Sequence, residues 1–423
     1  MLKLKNIEKE KFDEFVEQHK TKSHFLQSLS WGEFSKTKKG LTPYYLGLVN
    51  EQDEIVAATL LLEKNLSMNK CSFYAPRGFV MDYKKKELVR EMTKKVVEFA
   101  KNKKAIYVKI DPDIIKKTVD YEKDTHENKD YESIFQTLKS CGFKHQEHKK
   151  NFERKQPKHT FRIDLTQSIE NIKEHITTMA KQRIEEADKL DIEVVVGDKN
   201  DIKEFTRLIN ASKEKDKRHN EDYYETLYEI FNGNKTSKLT IFLGKININK
   251  TIKSIEKKLK NINNQISILP IDSLTKSSKD KLTELTKQKE NIQKEINKYK
   301  EIKKEQGNEI TLSALMIIEY GKKAWVLYET NRNLLEETYA NYKMYLESIK
   351  YCKEKGLEVY DHFGPVSDLS SKEEQEKNEF KKMFGGDYIE FIGEWDYITN
   401  PVFYFIFTKL VPLYEKLAHK KKR

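Results

Sequence analysis

Two consecutive heptad runs between Lys245 and Glu305 constrain this chain more than any other feature. The first run places apolar residues at alternating steps of four and three, the spacing of a coiled-coil seam: Ile248, Ile252, Ile255, Leu259, Ile262 and Ile266. The second seam is formed by Leu282, Leu285, Lys289, Ile292, Ile296 and Tyr299. Pro270 lies between the runs and ends the first helix, since proline cannot continue one. The pattern predicts an antiparallel coiled-coil arm of two helices over residues 245–305.

The arm carries most of the excess positive charge. It has 16 lysines against 8 aspartates and glutamates, a net charge of +8 out of +12 for the whole chain. Lysines on an exposed rod favour a phosphate backbone, because released counterions supply affinity that does not depend on base sequence. Lysine-rich faces also keep exposed coiled coils soluble, so a plain spacer or a dimerisation arm is the alternative.

Bulk composition narrows the class of protein. A chain of 423 residues predicts two or three domains, and 37% hydrophobic residues are enough for real cores. Three scattered cysteines (Cys71, Cys141 and Cys352) fit neither a disulfide framework nor a zinc site, and they indicate a reducing compartment. The first residues contain no apolar signal-peptide core. These features predict a cytoplasmic protein.

The C-terminal region contains the longest apolar run, residues 401–407, followed by a basic end. The run is too short to span a bilayer. One interpretation is a closing helix that packs on the core and carries a solvated basic tail. The other is a patch that touches the inner face of the cell membrane.

The rest of the chain reads as the same order of elements used twice. In the first half a helix near 84–101 precedes a strand at 105–110, which ends at Asp-Pro. In the second half a helix near 334–355 precedes a strand at 357–363, which ends at Gly-Pro. Each unit follows antiparallel strand-like runs, an order typical of the mixed sheet of N-acyltransferases.

This repetition predicts an α/β fold of two GNAT-like domains with the helical arm inserted in the second. The first domain is expected over residues 1–157, with the C-terminal segment 397–423 packing back on it. The second is expected over residues 158–396, interrupted by the arm at 245–305. The sequence has no P-loop, dinucleotide fingerprint, zinc-protease motif or nucleophile elbow. It also lacks the glycine-rich loop that binds coenzyme A in ordinary N-acyltransferases, which favours an acyl donor other than coenzyme A.

Several strings, taken in order, resemble the Fem family of non-ribosomal aminoacyltransferases along the whole chain. No single string is specific, but their order and spacing together are. They are Phe25-Leu-Gln-Ser-Leu-Ser-Trp31 followed by Lys36, Phe73-Tyr-Ala-Pro-Arg-Gly78, Lys109-Ile-Asp-Pro112, Lys217-Arg218 before Tyr223-Tyr224, Ala324-Trp-Val-Leu-Tyr328, Phe380-Lys-Lys-Met-Phe-Gly-Gly386 and Ile392-Gly-Glu-Trp-Asp396.

The resemblance implies transfer of an amino acid such as glycine, alanine or serine from aminoacyl-tRNA. The acceptor would be the stem-peptide amine of a peptidoglycan precursor, either lipid II or UDP-MurNAc-pentapeptide, and the product an interpeptide bridge. An activated ester and a free amine need alignment and oxyanion stabilisation, so no metal or other cofactor is implied. The family's arm is the element proposed to contact tRNA, although heptads could equally pair two copies into a homodimer.

The resemblance also assigns candidate site residues. Lys381 with Phe380 would lie at the reacting centre, and Asp111 would serve as a base or a substrate anchor. The grip on the acceptor's pyrophosphate and sugar would come from Lys36, Arg218, Tyr223 or Tyr224, and Tyr328, with Trp31 and Arg77 supporting the groove. Each has an ordinary alternative: an exposed charge for the lysines and Arg218, core packing for the tyrosines, and an Asp-Pro turn for Asp111.

Two other functions remain open from the residues alone. The chain could be a catalytically inert scaffold or nucleic-acid-binding protein that recruits a partner through the basic coiled coil. It could also be an acyltransferase with a different donor, or one that acts on a protein or a lipid.

Overall fold

The computed structural model describes residues 2–146, 156–212, 218–269, 276–364 and 372–412. The turn of the arm around Pro270 and the basic C-terminal end lie outside these ranges. The strands are β1 (Lys3–Asn6), β2 (Thr42–Val49), β3 (Ile55–Leu66), β4 (Lys70–Ala75), β5 (Ala105–Ile110), β6 (Ile115–Val119), β7 (Thr125–Glu127), β8 (Lys144–His145), β9 (His159–Asp164), β10 (Glu193–Gly197), β11 (Ser237–Asn247), β12 (Glu309–Tyr320), β13 (Lys323–Asn331), β14 (Val359–Asp361), β15 (Asp387–Phe391) and β16 (Trp395–Ile398). The helices are α1 (Lys9–Gln18), α2 (Leu29–Lys39), α3 (Lys86–Asn102), α4 (Tyr131–Ser140), α5 (Ile169–Glu174), α6 (Thr178–Lys189), α7 (Ile202–Ala211), α8 (Glu221–Asn232), α9 (Ile248–Ser267), α10 (Lys276–Gln306), α11 (Ala340–Glu354), α12 (Lys372–Lys382) and α13 (Pro401–Phe405).

Two mixed sheets form the framework. The first has the order β1-β2-β3-β4-β5-β16-β8, and the second has the order β10-β11-β12-β13-β14-β9-β15-β6-β7. In each sheet three antiparallel pairings are followed by one parallel pair, β4 with β5 and β13 with β14. A long helix joins each parallel pair, α3 in the first and α11 in the second. This arrangement confirms the predicted mixed α/β fold.

The two sheets exchange strands. β16, from the end of the chain, pairs between β5 and β8 in the first sheet. In return β6 and β7, from the first half, extend the edge of the second sheet through β15. The predicted boundary near residue 157 stays a prediction, because pairing on both sides of it joins the halves.

The arm is inserted between β11 and β12, which pair with each other at its base. Ile248 N–H donates to the Asn308 carbonyl at 2.9 Å, and the Asn247 side chain caps α9 by accepting from Lys250 N–H. Further out, Lys300 on α10 lies 3.9 Å from Glu256 on α9. Together with the contact between Ile248 and Asn308, this shows that the two helices run antiparallel. Seam residues from both helices are buried against the domain: Ile248, Ile252, Ile255, Ile296, Tyr299 and Ile302.

The predicted helix near 334–355 begins later than the sequence pattern indicates. A short 3-10 turn at Glu336–Thr338 comes first, and α11 starts at Ala340. Leu335 and Tyr339 have φ values of 56° and 50°, in the left-handed region, so the α-helix cannot run through them. This irregular segment lines the cleft described below.

Aromatic packing joins the halves into a shared core. Phe25 of the first half lies 5.2 Å from the Trp325 ring and 6.4 Å from the Phe231 ring, measured between centroids. The segment is held by Ser28, whose side chain caps α2 by accepting from Trp31 N–H. The cap fixes α2, which carries Trp31 and Lys36, against the second half.

Candidate active site

Lys381 is a nearly buried lysine whose ammonium is held by hydrogen bonds. It lies in the last turn of α12, and its side chain is 11% exposed. Its Nζ donates to the carbonyl oxygens of His362 at 3.1 Å and Gly364 at 2.9 Å, and lies 3.5 Å from Glu329 Oε1. A buried ammonium is costly unless its protons meet acceptors, and here two carbonyls and a carboxylate meet them. The cation is therefore fixed in place.

The loop after β14 supplies both carbonyls. Gly364 has a φ of 103°, a conformation that a side chain would strain, so this carbonyl position requires glycine. Asp361 holds the start of the loop, because its Oδ1 accepts from Phe363 N–H at 2.8 Å. The position of Lys381 thus depends on Asp361 through the loop.

Glu329 and its neighbours complete the surroundings of Lys381. Tyr345 O–H donates to Glu329 Oε2, and the Tyr345 ring stacks on His362 with centroids 5.7 Å apart. Burial, and then the charge of Lys381, lower the pKa of His362 to about 3, so its imidazole is neutral at pH 7. Neither ring nitrogen has a hydrogen-bond partner among the described residues. His362 adds no positive charge beside Lys381.

A cleft of about 560 Å³ opens on this centre. Glu329 and Phe380 line it, and Phe380 packs edge-on against Tyr342 and Tyr345 at 4.9 and 5.0 Å. Other lining residues come from the end of β13, the start of α11 and helix α6; they include Arg183, Arg332 and Tyr342. The predicted pair Lys381 and Phe380 is thus at the cleft, with Phe380 on its surface and Lys381 behind Glu329.

A second group gathers four predicted substrate-binding aromatics. Tyr223 O–H lies 3.1 Å from Tyr328 O–H, while Tyr224 is fully buried and packs edge-on against Tyr328. Trp31 is 8% exposed and lies under the Lys39 ammonium, 3.9 Å from the ring centroid. Of the two adjacent tyrosines, Tyr223 presents its hydroxyl to Tyr328, whereas Tyr224 belongs to the core.

Lys36 and Arg218 are both exposed on the surface of the protein. Lys36 is an exposed residue of α2, and Lys38 on the same helix pairs with Asp222 at the start of α8. Arg218 is exposed and donates to the Ser212 carbonyl; Ser212 also lines the cleft. Their assignment to a phosphate grip stays a prediction.

Asp111 and Arg77 form a separate buried pair at the end of β5. Asp111 Oδ1 accepts from Arg77 N–H at 2.7 Å, and Oδ2 accepts from Tyr74 O–H at 2.9 Å. The Arg77 guanidinium lies 4.4 Å from the Phe391 ring centroid and donates to the Pro157 carbonyl. Asp111 is 2% exposed, a position suited to anchoring the turn that carries Arg77.

Asp111 makes a testable contribution to the pH dependence of stability. Burial raises its pKa to about 6, against the charge and N–H of Arg77, which favour the carboxylate. In the unfolded chain Asp111 loses its proton near pH 3.8. The contribution of Asp111 to the free energy of unfolding is therefore full below that pH and is lost as pH rises to about 6. The loss is about 3 kcal/mol. Urea unfolding from pH 4 to 7 should show this decline in the wild type and not in Asp111→Asn. An equal decline in both would contradict it.

Glu329, Tyr345 and Arg183 are candidate site residues that sequence reasoning missed. Glu329 follows the apolar run of β13, and an acidic residue at the end of a buried strand was the available signal. Arg183 donates to Tyr342 O–H across the cleft. The two residues are 159 positions apart in the sequence, so only the fold brings them together and no sequence pattern predicts the pair.

Comparisons with known proteins agree with this fold. The profile of the FemAB family matches residues 7–411. Lipid II:glycine glycyltransferase of Staphylococcus aureus (strain USA300) is 27% identical over 434 aligned residues, which cover 99% of this chain and 98% of the relative; the protein of strain NCTC 8325 / PS 47 gives the same values. A solved structure described as "Crystal structure of FemX" superposes with a TM-score of 0.75 at 24% identity, covering 96% of this chain and 99% of that one. The predicted family is confirmed: this chain belongs to the FemAB family.

Proposed function

We propose that this protein is a tRNA-dependent aminoacyltransferase that acts on the stem-peptide amine of a peptidoglycan precursor. The donor would be aminoacyl-tRNA carrying a small amino acid, and the acceptor lipid II or its UDP-linked precursor. Support comes from membership of the FemAB family over nearly the whole chain and from relatives named for glycine transfer to lipid II. The observation that carries the proposal is the fixed ammonium of Lys381 behind the wall of a cleft.

The reaction is an aminolysis. The acceptor amine attacks the ester carbonyl carbon of the aminoacyl group, and a carbon–nitrogen bond forms as the carbonyl oxygen gains negative charge. The bond to the ribose oxygen then breaks, and that oxygen takes up a proton as the amine gives one up. The products are an amide and tRNA with a free ribose hydroxyl. The enzyme must chiefly align the reactants and stabilise the oxyanion.

Lys381 is suited to that stabilisation. Its ammonium donates to two backbone carbonyls, which hold it in place. Glu329 Oε1 lies 3.5 Å from Nζ, longer than a good hydrogen bond, and it lines the cleft. An oxyanion in the cleft would compete with Glu329 for the ammonium. Because the carbonyls already fix Nζ, only Glu329 would have to move for the oxyanion to reach the ammonium.

The arm begins beside this cleft, which favours it as the donor contact. Arg332 lines the cleft and donates to Gln306 at the end of α10 at 2.6 Å. Lys298 of α10 pairs with Glu337 of the 3-10 turn. A tRNA bound along the basic arm could therefore place its charged end near the cleft.

The aromatic group with Lys36 and Arg218 is the proposed acceptor side. Exposed cations suit pyrophosphate oxygens, and the paired hydroxyls of Tyr223 and Tyr328 can bond a sugar or a phosphate. Arg218 reaches the Ser212 carbonyl, and Ser212 lines the cleft. An acceptor held by its pyrophosphate at this group could extend its stem peptide toward Lys381.

A transfer assay tests the proposed function directly. Purified protein is mixed with tRNA charged separately with labelled glycine, alanine or serine, and with either lipid II or UDP-MurNAc-pentapeptide. Label in the precursor would establish donor and acceptor together. A stem that already carries its first bridge residue is the third acceptor. If none of the three acceptors is labelled although the protein still binds tRNA, the result would contradict the proposed enzymatic activity and favour the inert scaffold.

The arm gives a prediction about tRNA affinity. Replacing four exposed arm lysines by glutamine should weaken tRNA binding about 10- to 100-fold at low salt and lower the slope of log Kd against log salt by up to about 3, because fewer counterions are released. The variant is Lys257→Gln, Lys260→Gln, Lys287→Gln and Lys294→Gln. Filter binding or fluorescence anisotropy over a salt series measures both quantities.

The matched control removes the same charge from elsewhere on the surface. It carries glutamine at four exposed lysines on other helices: Lys86, Lys94, Lys139 and Lys203. Net charge falls equally in both variants, so a loss confined to the arm variant assigns the contact to the arm. Equal effects would mean that tRNA responds to net charge alone.

A further inference from the structure

The C-terminal helical segment exposes apolar side chains on nearly every side. It consists of α13 and the π-helical turns at Ile406–Leu410, and none of its residues is buried. Val402 is 67% exposed, Phe405 55% and Leu410 47%. Between residues 397 and 412 the sequence has one charged residue, Lys409. A helix without a polar face is not a stable water-exposed surface in isolation.

The segment is nevertheless fixed to the first sheet. Tyr404 O–H donates to Asp396 at 2.7 Å, and its ring packs edge-on against Tyr107 of β5 at 5.5 Å. Ahead of the helix, Thr399 N–H donates to the Ile106 carbonyl at 3.1 Å. These contacts use one side of the helix. The exposed side chains of Val402, Phe405 and Leu410 are therefore held outward.

Lysines lie around the base of the segment. The Lys70 ammonium lies 4.8 Å from the Phe403 ring centroid, and exposed Lys101, Lys103 and Lys104 lead into β5 beside Thr399. In the turn before Lys70, Met68 is 59% exposed. We name this surface the C-terminal patch: apolar Met68, Val402, Phe405 and Leu410, with Lys70, Lys101, Lys103 and Lys104.

Exposed apolar side chains are concentrated in the C-terminal patch. Eight large apolar side chains are widely exposed in the described parts of the chain, and four of them belong to the patch. The other four lie on separate elements: Tyr121, Met179, Val196 and Ile268. Isolated exposed apolar residues need no explanation, whereas a cluster at one corner marks a contact surface.

We propose that the C-terminal patch binds the surface of an anionic phospholipid bilayer. Aromatic and aliphatic residues that enter the headgroup region, beside lysines that meet anionic headgroups, are the composition of a surface-binding helix. The sequence after residue 412 adds five basic residues, Lys416 and 420–423, against Glu415 alone. Among the described residues, no helix is long and apolar enough to cross a membrane.

This contact deepens the proposed function without depending on it. If the acceptor is lipid-linked, a patch that holds the protein at the bilayer keeps the cleft near its substrate and raises the local acceptor concentration. A second copy of the chain would also cover apolar residues. The surrounding lysines disfavour that occupant, because like charges would face one another across such an interface.

Vesicle flotation tests the proposal with the full chain. Wild type is expected to float with vesicles that contain phosphatidylglycerol and much less with pure phosphatidylcholine. The variant Val402→Ser/Phe405→Ser/Leu410→Ser should lose at least about tenfold in partitioning. The matched control Met179→Ser/Val196→Ser removes side chains that are 50% and 55% exposed, and it should float like wild type. The variant Lys70→Gln/Lys101→Gln/Lys104→Gln should weaken binding to phosphatidylglycerol vesicles specifically.

Two results would overturn the proposal: no flotation of the wild type, or equal flotation of the serine variant. Analytical sedimentation tests whether a second copy of the chain covers the patch instead. If the wild type forms dimers and only the serine variant loses them, the patch is a protein interface. The serine variant should transfer normally to the UDP-linked acceptor and poorly to lipid II in vesicles. If no transfer occurs with any acceptor, the proposed function fails. Flotation still shows whether the C-terminal patch binds the bilayer.

Discussion

Lys381→Met is expected to lower the turnover of aminoacyl transfer about 10²- to 10³-fold while leaving the KM for both substrates within about threefold. The loss of a fixed donor to a developing oxyanion has this size in other acyl-transfer sites. Ground-state binding should be nearly unchanged, because Lys381 lies behind Glu329 and Phe380 and not on the surface of the cleft. Steady-state kinetics with each substrate varied in turn separates the two effects.

Lys382→Met is the matched control. It lies one position along the same helix, its side chain is 60% exposed, and its contact with Glu379 is long at 3.9 Å. Its kinetics and melting temperature should equal those of the wild type. Lys381→Met leaves the carbonyls of His362 and Gly364 without their donor, so its fold must be checked by circular dichroism. A folded variant with turnover within threefold of wild type would remove Lys381 from the chemistry.

Local patterns in the sequence were enough to predict the arm and the mixed sheets. The heptad seam of α9 is a property of neighbouring residues, and the buried seam residues agree with it. The strand at 105–110 coincides with β5 because an apolar run between a lysine-rich turn and Asp-Pro has few other conformations. Elements decided by short-range periodicity were therefore predictable.

Strand partners and side-chain neighbours were not predictable in the same way. Nothing in the local sequence of residues 395–398 indicates that this segment inserts as a strand between β5 and β8. Tyr223 and Tyr224 are adjacent in sequence, and only packing decides that one meets Tyr328 through its hydroxyl while the other is buried. Glu329 beside Lys381 likewise depends on α12 returning to the end of β13.

Arg162→Met is expected to cost about 3–5 kcal/mol of the free energy of unfolding, because it leaves two buried carboxylates without their shared cation. Arg162 Nε lies 2.8 Å from Asp361 Oδ2, and Nη2 lies 3.3 Å from Asp113 Oδ1. Burial alone would raise the pKa of Asp113, but Arg162, Lys323 and Lys22 outweigh it and hold the pKa well below its usual range. The network joins the first half, through Asp113, to the second.

Arg207→Met is the control, because Arg207 also binds a carboxylate, Glu204, with two hydrogen bonds of 2.7 and 2.6 Å. That pair is on the surface, with the Arg207 side chain 49% exposed, and its loss should cost at most about 1 kcal/mol. Urea unfolding at pH 7 measures both variants. Equal losses of unfolding free energy in the two variants would mean that burial does not determine how much the Arg162 contacts stabilise the protein.

The Arg162 network should also affect the reaction. Asp361 holds the loop whose carbonyls fix Lys381, so Arg162→Met is expected to lower turnover as well as stability. The double variant Arg162→Met/Asp361→Asn removes the cation and one carboxylate together and should recover part of the lost stability, since Asp113 then keeps Lys22 and Lys323 beside it. Turnover should stay low, because an amide with altered partners no longer fixes the loop. Recovery of both would show that charge balance, and not the position of Asp361, supports Lys381.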